Sequence, residues 1–133
     1  IQKGGSAAVT DVLDYSERCR KPGLSLLNGP GNDIVSCTNL AAAGAHMILF
    51  TTGRGTPLGA PVPTIKISTN TELAERKKNW IDYDAGEILA GKSFEDSAAE
   101  LLSLTLQTAS GKKTRSEQNG SREMAIFKDG VTL

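Results

Sequence analysis

The sequence predicts an α/β fold, a small three-layer Rossmann-like domain with a mainly parallel sheet. Short apolar runs of strand length alternate with amphipathic segments of helical period, which is the pattern of α/β proteins. Two of these runs flank a predicted helix within about 30 residues, the length of a right-handed parallel crossover unit. With 133 residues, the chain has room for one domain with a single hydrophobic core.

The first predicted elements are a helix and a strand. Residues 7–18 place Val9, Val12 and Leu13 on one helical stripe, which the sequence RKPG then ends. The apolar run GLSLLN lies between a Pro-Gly turn and Gly-Pro-Gly, and it has the length of a buried strand. We therefore expect a helix over residues 7–18 and the first strand in GLSLLN.

A second helix and a second strand follow. Asn32 and Asp33 are good N-caps for a helix whose inner face consists of small side chains, and Gly44 can end it. The run HMILF comes next and is the most strand-like segment of the chain. The succession predicts that the GLSLLN and HMILF strands are parallel strands of one sheet.

The segment PTIKIST alternates in polarity, as a strand with two different faces does. Ile65 and Ile67 fall on one face. The other face carries Thr64, Lys66 and Ser68. We expect this polar face to meet solvent or a pocket.

Two further helices are expected to cover the sheet. Thr69 and Glu72 have capping-box spacing before the first, and Ser93 with Asp96 begins the second, longer one. The apolar stripe of the longer helix is predicted to consist of Phe94, Ala98, Leu101, Leu102, Thr105 and Ala109.

Composition predicts the domain organisation. Residues 1–110 form the predicted α/β domain, and residues 111–133 form a polar connector with a C-terminal tail. The connector, residues 111–123, is poor in apolar side chains and is expected to be mobile, whereas MAIFKDGVTL is a weak late strand or docking segment. Because the chain opens with Ile1 rather than Met, we expect it to be part of a longer protein.

Charge and hydropathy argue against several classes of partner. The chain has 15 basic and 15 acidic residues and no dense basic stripe, so neither nucleic acid nor a membrane surface is expected to bind it. No apolar stretch approaches the roughly 20 residues that span a bilayer, and we find no secretion signal. Cys19 and Cys37 form no C-x-x-C pair and are expected to be reduced, one of them on a buried helix face. These features favour a cytoplasmic protein.

Glycine-rich loops, NGPGND and TTGRGTPLG, follow the GLSLLN and HMILF strands. Because parallel strands end at the same edge of a sheet, we expect the two loops to form one anion site there. Glycines let the backbone approach an anion, and the helix N-terminus after Asn32 can donate hydrogen bonds to it. Arg54 offers a planar fork for a carboxylate or phosphate. The alternative is two tight turns with an exposed arginine.

Two nucleotide-binding patterns fit poorly. GPGNDI lacks the third glycine of a dinucleotide fingerprint because Ile34 stands in its place. GEILAGKS matches the P-loop pattern letter for letter, but its Glu-Ile-Leu-Ala favours helix over a flexible phosphate-binding loop. We expect Gly91 to end a helix and Ser93 to cap the next one.

The remaining candidate ligands are expected to be structural or solvated. His46 opens the HMILF strand and is predicted to be structural. Asp82, Asp84 and Glu87 could hold a cation, but they define no ligand geometry, so a solvated acidic surface is expected.

Three motifs, G-N-D, T-T-G-R-G and K-I-[AS]-T-N, are followed by DAGEILAGKS. With this uncommon combination the chain resembles the C-terminal region of the altronate dehydratase and galactarate dehydratase family of bacterial sugar-acid hydro-lyases. The resemblance covers nearly the whole chain. It implies a longer enzyme in which the remaining domains are partners of this one, and a homo-oligomer is possible. The ending AIFKDGVTL resembles the altronate branch more closely.

The resemblance also implies an activity. Such an enzyme removes water from a hexonate or hexarate to give a 2-keto-3-deoxy sugar acid, helped by a divalent metal (iron, magnesium or similar). We place Lys66 as the catalytic candidate, stabilising the enediolate charge, and Arg54 as the carboxylate clamp. The substrate-binding candidates are Gly31, Asn32, Asp33, Thr52, Gly53, Arg54, Gly55 and Thr56.

No metal ligand or general base is assigned in this chain, and alone it is expected to be inactive. Two other classes of function stay open. One is an α/β module that binds an anionic metabolite without chemistry, and the other is a structural or oligomerisation lobe.

Overall fold

The computed structural model describes residues 4–125, which divide into two compact units. Residues 4–45 and 124–125 belong to the first unit, and His46–Glu123 form the second. Both units contain parallel strands and helices, so the predicted α/β class is confirmed. The three-layer Rossmann-like arrangement and the domain boundary at residue 110 stay predictions. Most of the predicted late strand in MAIFKDGVTL lies outside the described residues.

The first unit contains two parallel strands, β1 (Val9–Leu13) and β2 (Leu24–Leu27). The helix predicted over residues 7–18 is therefore wrong. The sequence Val-Thr-Asp-Val-Leu is rich in β-branched residues, which favour extended backbone, and β2 supplies the hydrogen-bonding partner that a helix would not need.

Helix α1 (Asp33–Ala42) follows β2 and is delimited as predicted. The side chain of Asn32 accepts a hydrogen bond from the backbone N–H of Val35, and Gly44 follows the end of the helix with a φ of 106°. Both cysteines are free, with Cys19 exposed and Cys37 buried in α1, which confirms the prediction for the thiols. Burial and, secondarily, the charge of Asp33 raise the pKa of Cys37.

Buried Asn39 holds the loops of the first unit together. Its Oδ1 accepts from the N–H of Ser16 at 2.9 Å, and its Nδ2 donates to the carbonyl of Asn28 at 2.9 Å. A buried amide needs such partners, and here they come from residues that follow β1 and β2. The sequence analysis did not single out Asn39.

The second unit contains a three-stranded parallel sheet in the order β3 (Ile48–Thr52), β4 (Thr64–Ser68) and β5 (Tyr83–Asp84). The predicted pairing of the GLSLLN and HMILF strands in one sheet is wrong, because β2 and β3 belong to different sheets. Strand β3 pairs with β4 along its whole length, and β2 pairs with β1, the segment that had been predicted as a helix.

Strand β4 is the centre of the second unit, and all five of its residues are buried. The prediction that its polar face meets solvent or a pocket is wrong. Lys66 is 1% exposed and Ser68 is fully buried, because the loop between β3 and β4 contacts Lys66 and the helix over Arg115–Gln118 lies against β4.

Three helical segments follow β4 in the second unit. Helix α2 (Thr71–Arg76) is capped by Asn70 rather than by Thr69. A 3₁₀ helix (Ala85–Ala90) ends at Gly91, whose φ is 104°, and α3 (Phe94–Ala109) begins after the N-cap Ser93. The predictions for Gly91 and Ser93 are confirmed.

The apolar stripe predicted for α3 is wrong, because a different face of the helix is buried. Phe94 is 72% exposed and Leu102 is 59% exposed, whereas Ser97 and Thr108 are buried. The hydroxyl of Tyr83 lies 2.7 Å from Ser97 Oγ and donates to the carbonyl of Ser97, so a polar contact decides which face of the helix turns inward.

Helix α4 (Arg115–Gln118) lies in the segment that was predicted as a mobile connector. Thr114 and Glu117 form a complete capping box, and buried Ser116 donates a hydrogen bond to the carbonyl of Leu58 at 3.3 Å. Helix α4 is therefore packed against the rest of the second unit and is not part of a mobile connector. No helix between residues 4 and 125 has both the length and the apolar character of a membrane span.

Candidate functional site

The glycine-rich segment after β3, residues 53–59, is called the Arg54 loop here. Its first turn is tied to the end of β3 because Thr52 Oγ1 accepts from the N–H of Gly55 at 3.0 Å. Gly55 has a φ of 83°, and a Cβ there would lie 2.9 Å from the side chain of Leu73. Asn70, the N-cap of α2, donates from Nδ2 to the carbonyl of Gly53 at 3.1 Å. The start of the loop is thus held from two sides.

Lys66 holds the middle of the same loop. Its Nζ donates to the carbonyl oxygen of Thr56 at 2.8 Å, and the residue is 1% exposed. Burial lowers the pKa of Lys66, and the carboxylates of Asp82 and Glu123 act in the opposite direction. The structure therefore brings Lys66 together with the loop, but through the backbone of Thr56.

The far end of the loop is joined to Glu123. The N–H of Gly59 donates to Glu123 Oε2 at 2.7 Å, and the N–H of Glu123 donates to the carbonyl of Gly59 at 2.6 Å. A Cβ on Gly59 would collide with the carbonyl oxygen of Ser121 and would lie 2.8 Å from Ser116 Cβ. The backbone can approach this closely only because Gly59 has no side chain.

Arg54 is the exposed group between these fixed points. Within residues 4–125 no carboxylate forms an ion pair with Arg54, and no hydrogen bond engages its guanidinium. A guanidinium offers a planar fork of N–H donors that matches a carboxylate or a phosphate. The arrangement presents a cationic group on a constrained backbone, which is suited to holding an anion.

The predicted binding residues before α1 lie in the first unit. Gly31, Asn32 and Asp33 are exposed, and Asn32 acts as the helix N-cap. The other candidates, Thr52–Thr56 and Lys66, lie in the second unit. The expectation that both loops leave one edge of one sheet is therefore wrong, since β2 and β3 belong to different sheets.

The three residues of the predicted acidic cluster make separate contacts. Asp82 Oδ2 accepts from the N–H of Lys66 at 2.8 Å and Oδ1 accepts from the N–H of Arg115 at 2.7 Å. Asp84 caps the 3₁₀ helix by accepting from the N–H of Gly86 at 2.8 Å, and Glu87 pairs with Lys92. A solvated surface is thus wrong for Asp82, which joins β4 to α4.

The carboxyl group of Asp82 is perturbed by its surroundings. Burial raises its pKa, while the backbone hydrogen bonds from Lys66 and Arg115 oppose that rise. No group of three His, Cys, Asp or Glu side chains within residues 4–125 could hold a metal ion.

Sequence reasoning missed Asn70, Gly59 and Glu123. Asn70 stands in the KISTN motif directly before a helix, so its role as an N-cap could have been recognised. The contact of Glu123 with Gly59 joins residues 64 positions apart, and no local pattern in the sequence indicates it.

Parallel strands followed by a constrained glycine-rich loop with a free guanidinium are typical of ligand-binding α/β domains. The chain belongs to the family described as D-galactarate/Altronate dehydratase, C-terminal, whose model matches residues 1–132. The resemblance inferred from the sequence motifs is thereby confirmed.

Curated relatives support the same assignment. The chain is 55% identical over 132 residues to an altronate dehydratase of Escherichia coli (strain K12), covering 99% of this chain and 27% of that relative. It is 49% identical over 133 residues to an altronate dehydratase of Bacillus subtilis (strain 168), covering 99% of this chain and 27% of the relative. It is 41% identical over 131 residues to the galactarate dehydratase (L-threo-forming) of Escherichia coli (strain K12), covering 96% and 25%. The chain thus spans about a quarter of the length of these relatives.

Proposed function

We propose that this chain is the C-terminal part of a cytoplasmic sugar-acid hydro-lyase that converts altronate to a 2-keto-3-deoxy sugar acid. Altronate is favoured over galactarate because the identity to two altronate dehydratases, 55% and 49%, exceeds the 41% identity to a galactarate dehydratase. The rest of the full-length protein and the sugar acid are the partners in this proposal, and the chain alone is expected to be inactive.

The Arg54 loop is the observation that supports a role in substrate binding. A sugar acid carries a carboxylate, and Arg54 is an exposed guanidinium with no partner among the described residues. We propose that Arg54 binds this carboxylate through two parallel N–H···O bonds, with Thr52, Gly53, Gly55 and Thr56 shaping the loop around it. For Gly31, Asn32 and Asp33, which belong to the first unit, a role in substrate binding stays a prediction.

The reaction sets clear chemical demands. A base removes the proton alpha to the carboxylate, the electron pair moves into an enediolate, and the beta hydroxyl leaves as water after protonation. The enol that results then gives the 2-keto acid. A cation on the carboxylate lowers the free energy of the enediolate, because negative charge builds up on its oxygens. Arg54 would serve this purpose.

A divalent metal remains part of the proposal for the full-length enzyme. Residues 4–125 offer no group of three metal-ligating side chains, so the proposal assigns neither a ligand nor a metal-dependent step to them. It also assigns no general base to these residues. The contribution proposed for this chain is substrate binding and charge stabilisation.

Replacing Arg54 by alanine in the full-length enzyme tests the proposal. We expect kcat/KM for altronate to fall about tenfold or more, because a hydrogen-bonded charge pair is lost. Arg76→Ala is the matched control, since Arg76 is an exposed arginine of the same unit that pairs only weakly with Glu72, at 3.8 Å. Its kcat/KM should change less than about twofold.

Two outcomes would contradict the proposal. A change of less than about threefold for Arg54→Ala would exclude the carboxylate clamp. Failure of the full-length enzyme to dehydrate either altronate or galactarate would exclude the activity itself.

A further inference from the structure

The ammonium group of Lys66 lies inside the second unit, beneath the Arg54 loop. It donates to the carbonyl oxygen of Thr56 at 2.8 Å, and the residue is 1% exposed. Placing a charged ammonium in the interior is unfavourable unless hydrogen bonds and opposite charges compensate. A lysine at this position therefore calls for a specific role.

The surroundings of Lys66 supply that compensation. The carboxylates of Asp82 and Glu123 both favour its charged form, against the effect of burial. Both carboxylates are themselves held by backbone N–H groups, Asp82 by those of Lys66 and Arg115, and Glu123 by that of Gly59. The cation lies within a framework of fixed hydrogen bonds, so its position is well defined.

Arg54 lies between two anchored points of the loop. On one side, the carbonyl of Gly53 accepts from Asn70 and the N–H of Gly55 donates to Thr52. On the other side, the carbonyl of Thr56 accepts from Lys66. Removing the Lys66 anchor would free the backbone on one side of Arg54.

We propose that Lys66 is a positioning residue for Arg54, which fixes the Thr56 carbonyl so that the guanidinium is held ready for an anion. This inference rests on the proposed function of Arg54. It differs from the direct role predicted from the sequence, in which the ammonium contacts the enediolate. A direct contact would require the substrate to reach a lysine that is 1% exposed.

Hydrogen exchange of the full-length protein tests the structural part of this proposal. Lys66→Met keeps most of the side-chain length but removes the donor. We expect the amides of residues 53–56 to exchange at least about tenfold faster than in the parent protein. Lys78→Met, an exposed lysine of the same unit, is the control and should leave these rates unchanged. Unchanged exchange in Lys66→Met would overturn the proposal.

A double-mutant cycle tests the functional part. Lys66→Met should lower kcat/KM at least about tenfold in the parent enzyme, mainly through a higher KM, but less than about twofold in the Arg54→Ala background. Equal losses in both backgrounds would show that Lys66 acts independently of Arg54, and would overturn the positioning role. If Arg54→Ala itself has no effect, the proposed clamp fails, while the exchange rates still decide whether Lys66 holds the loop.

A measurement on the unsubstituted protein covers the case in which Lys66→Met does not fold. The ¹⁵N signal of the Lys66 ammonium should be resolved, with slow hydrogen exchange, both before and after altronate is added. An ammonium in fast exchange with water would overturn the proposal.

Discussion

Gly59 occupies a position where a side chain has no room. A Cβ there would collide with the carbonyl oxygen of Ser121, whereas a Cβ on Gly31 would meet nothing within 4 Å. We expect Gly59→Ala to lower the free energy of unfolding by about 3 kcal/mol, because the backbone around Glu123 must move. Gly31→Ala should change it by less than about 0.5 kcal/mol. Urea denaturation of both variants measures the difference, and similar stabilities would show that the close approach is not needed.

Asp82 accepts hydrogen bonds from two backbone N–H groups, one on β4 and one at the start of α4. An asparagine has only one acceptor oxygen, so Asp82→Asn leaves one of these donors facing an amide NH₂. We expect a loss of about 1–3 kcal/mol in the free energy of unfolding. Glu75→Gln, an exposed carboxylate of the same unit, is the matched control and should be neutral. A neutral Asp82→Asn would contradict the role of Asp82 as a link between β4 and α4.

The burial of Lys66 should make the free energy of unfolding depend on pH. Burial lowers its folded-state pKa below the ordinary lysine value of 10.5. Between these two pKa values the unfolded chain binds more protons than the folded chain, so the free energy of unfolding rises with pH as Lys66 loses its proton. The slope of stability against pH should therefore be more positive in the parent protein than in Lys66→Met as the pH approaches 10.5. Identical slopes would show that the ammonium is not desolvated.

Helix α3 follows Ser93, a serine whose hydroxyl would bind magnesium in a P-loop. Here Ser93 Oγ accepts from the N–H of Asp96 at 3.0 Å, and Lys92 pairs with Glu87 and Glu100, which raise its pKa. We expect Ser93→Ala to cost about 1 kcal/mol of stability through loss of the cap.

The control for this prediction is Ser103→Ala, an exposed change within the same helix, which should be nearly neutral. Calorimetric titration with ATP and magnesium should show no binding to the parent chain or to either variant. Binding that is lost in Ser93→Ala would restore the P-loop interpretation.

Strand pairing and helix orientation account for two of the structural predictions that failed. The helical stripe in residues 7–18 and the stripe in α3 are both present in the sequence. The first segment instead pairs with β2, and the second turns Ser97 inward toward Tyr83. Periodicity identifies which side chains share a face, but the packing partner decides whether that face is used.

We expect the full-length enzyme to depend on a divalent metal, whereas the stability of this chain alone should not. Because residues 4–125 contain no three-ligand group, a chelator should leave the Tm of the chain unchanged. The proposed full-length hydro-lyase should lose activity with chelator and regain it when a divalent metal is restored. A lower Tm of the chain in chelator would indicate a metal site that the described residues do not reveal.

The identity of the chain and much of its local structure could be predicted from the sequence. The motifs G-N-D, T-T-G-R-G and K-I-S-T-N indicated the family, and capping rules located Asn32, Gly91 and Ser93 correctly. These features depend on residues within a few positions of each other, where backbone geometry and side-chain hydrogen bonding act directly.

Tertiary structure decided which strands pair and what the polar face of β4 contacts. Lys66 looked like a residue of an open pocket because its neighbours alternate in polarity, yet it is 1% exposed and its ammonium donates to the backbone of Thr56. Such contacts join residues 10 to 64 positions apart along the chain, as for Thr56 with Lys66 and Gly59 with Glu123. They form only when the chain has folded, because the burial and hydrogen bonding that stabilise them need segments that the local sequence does not bring together.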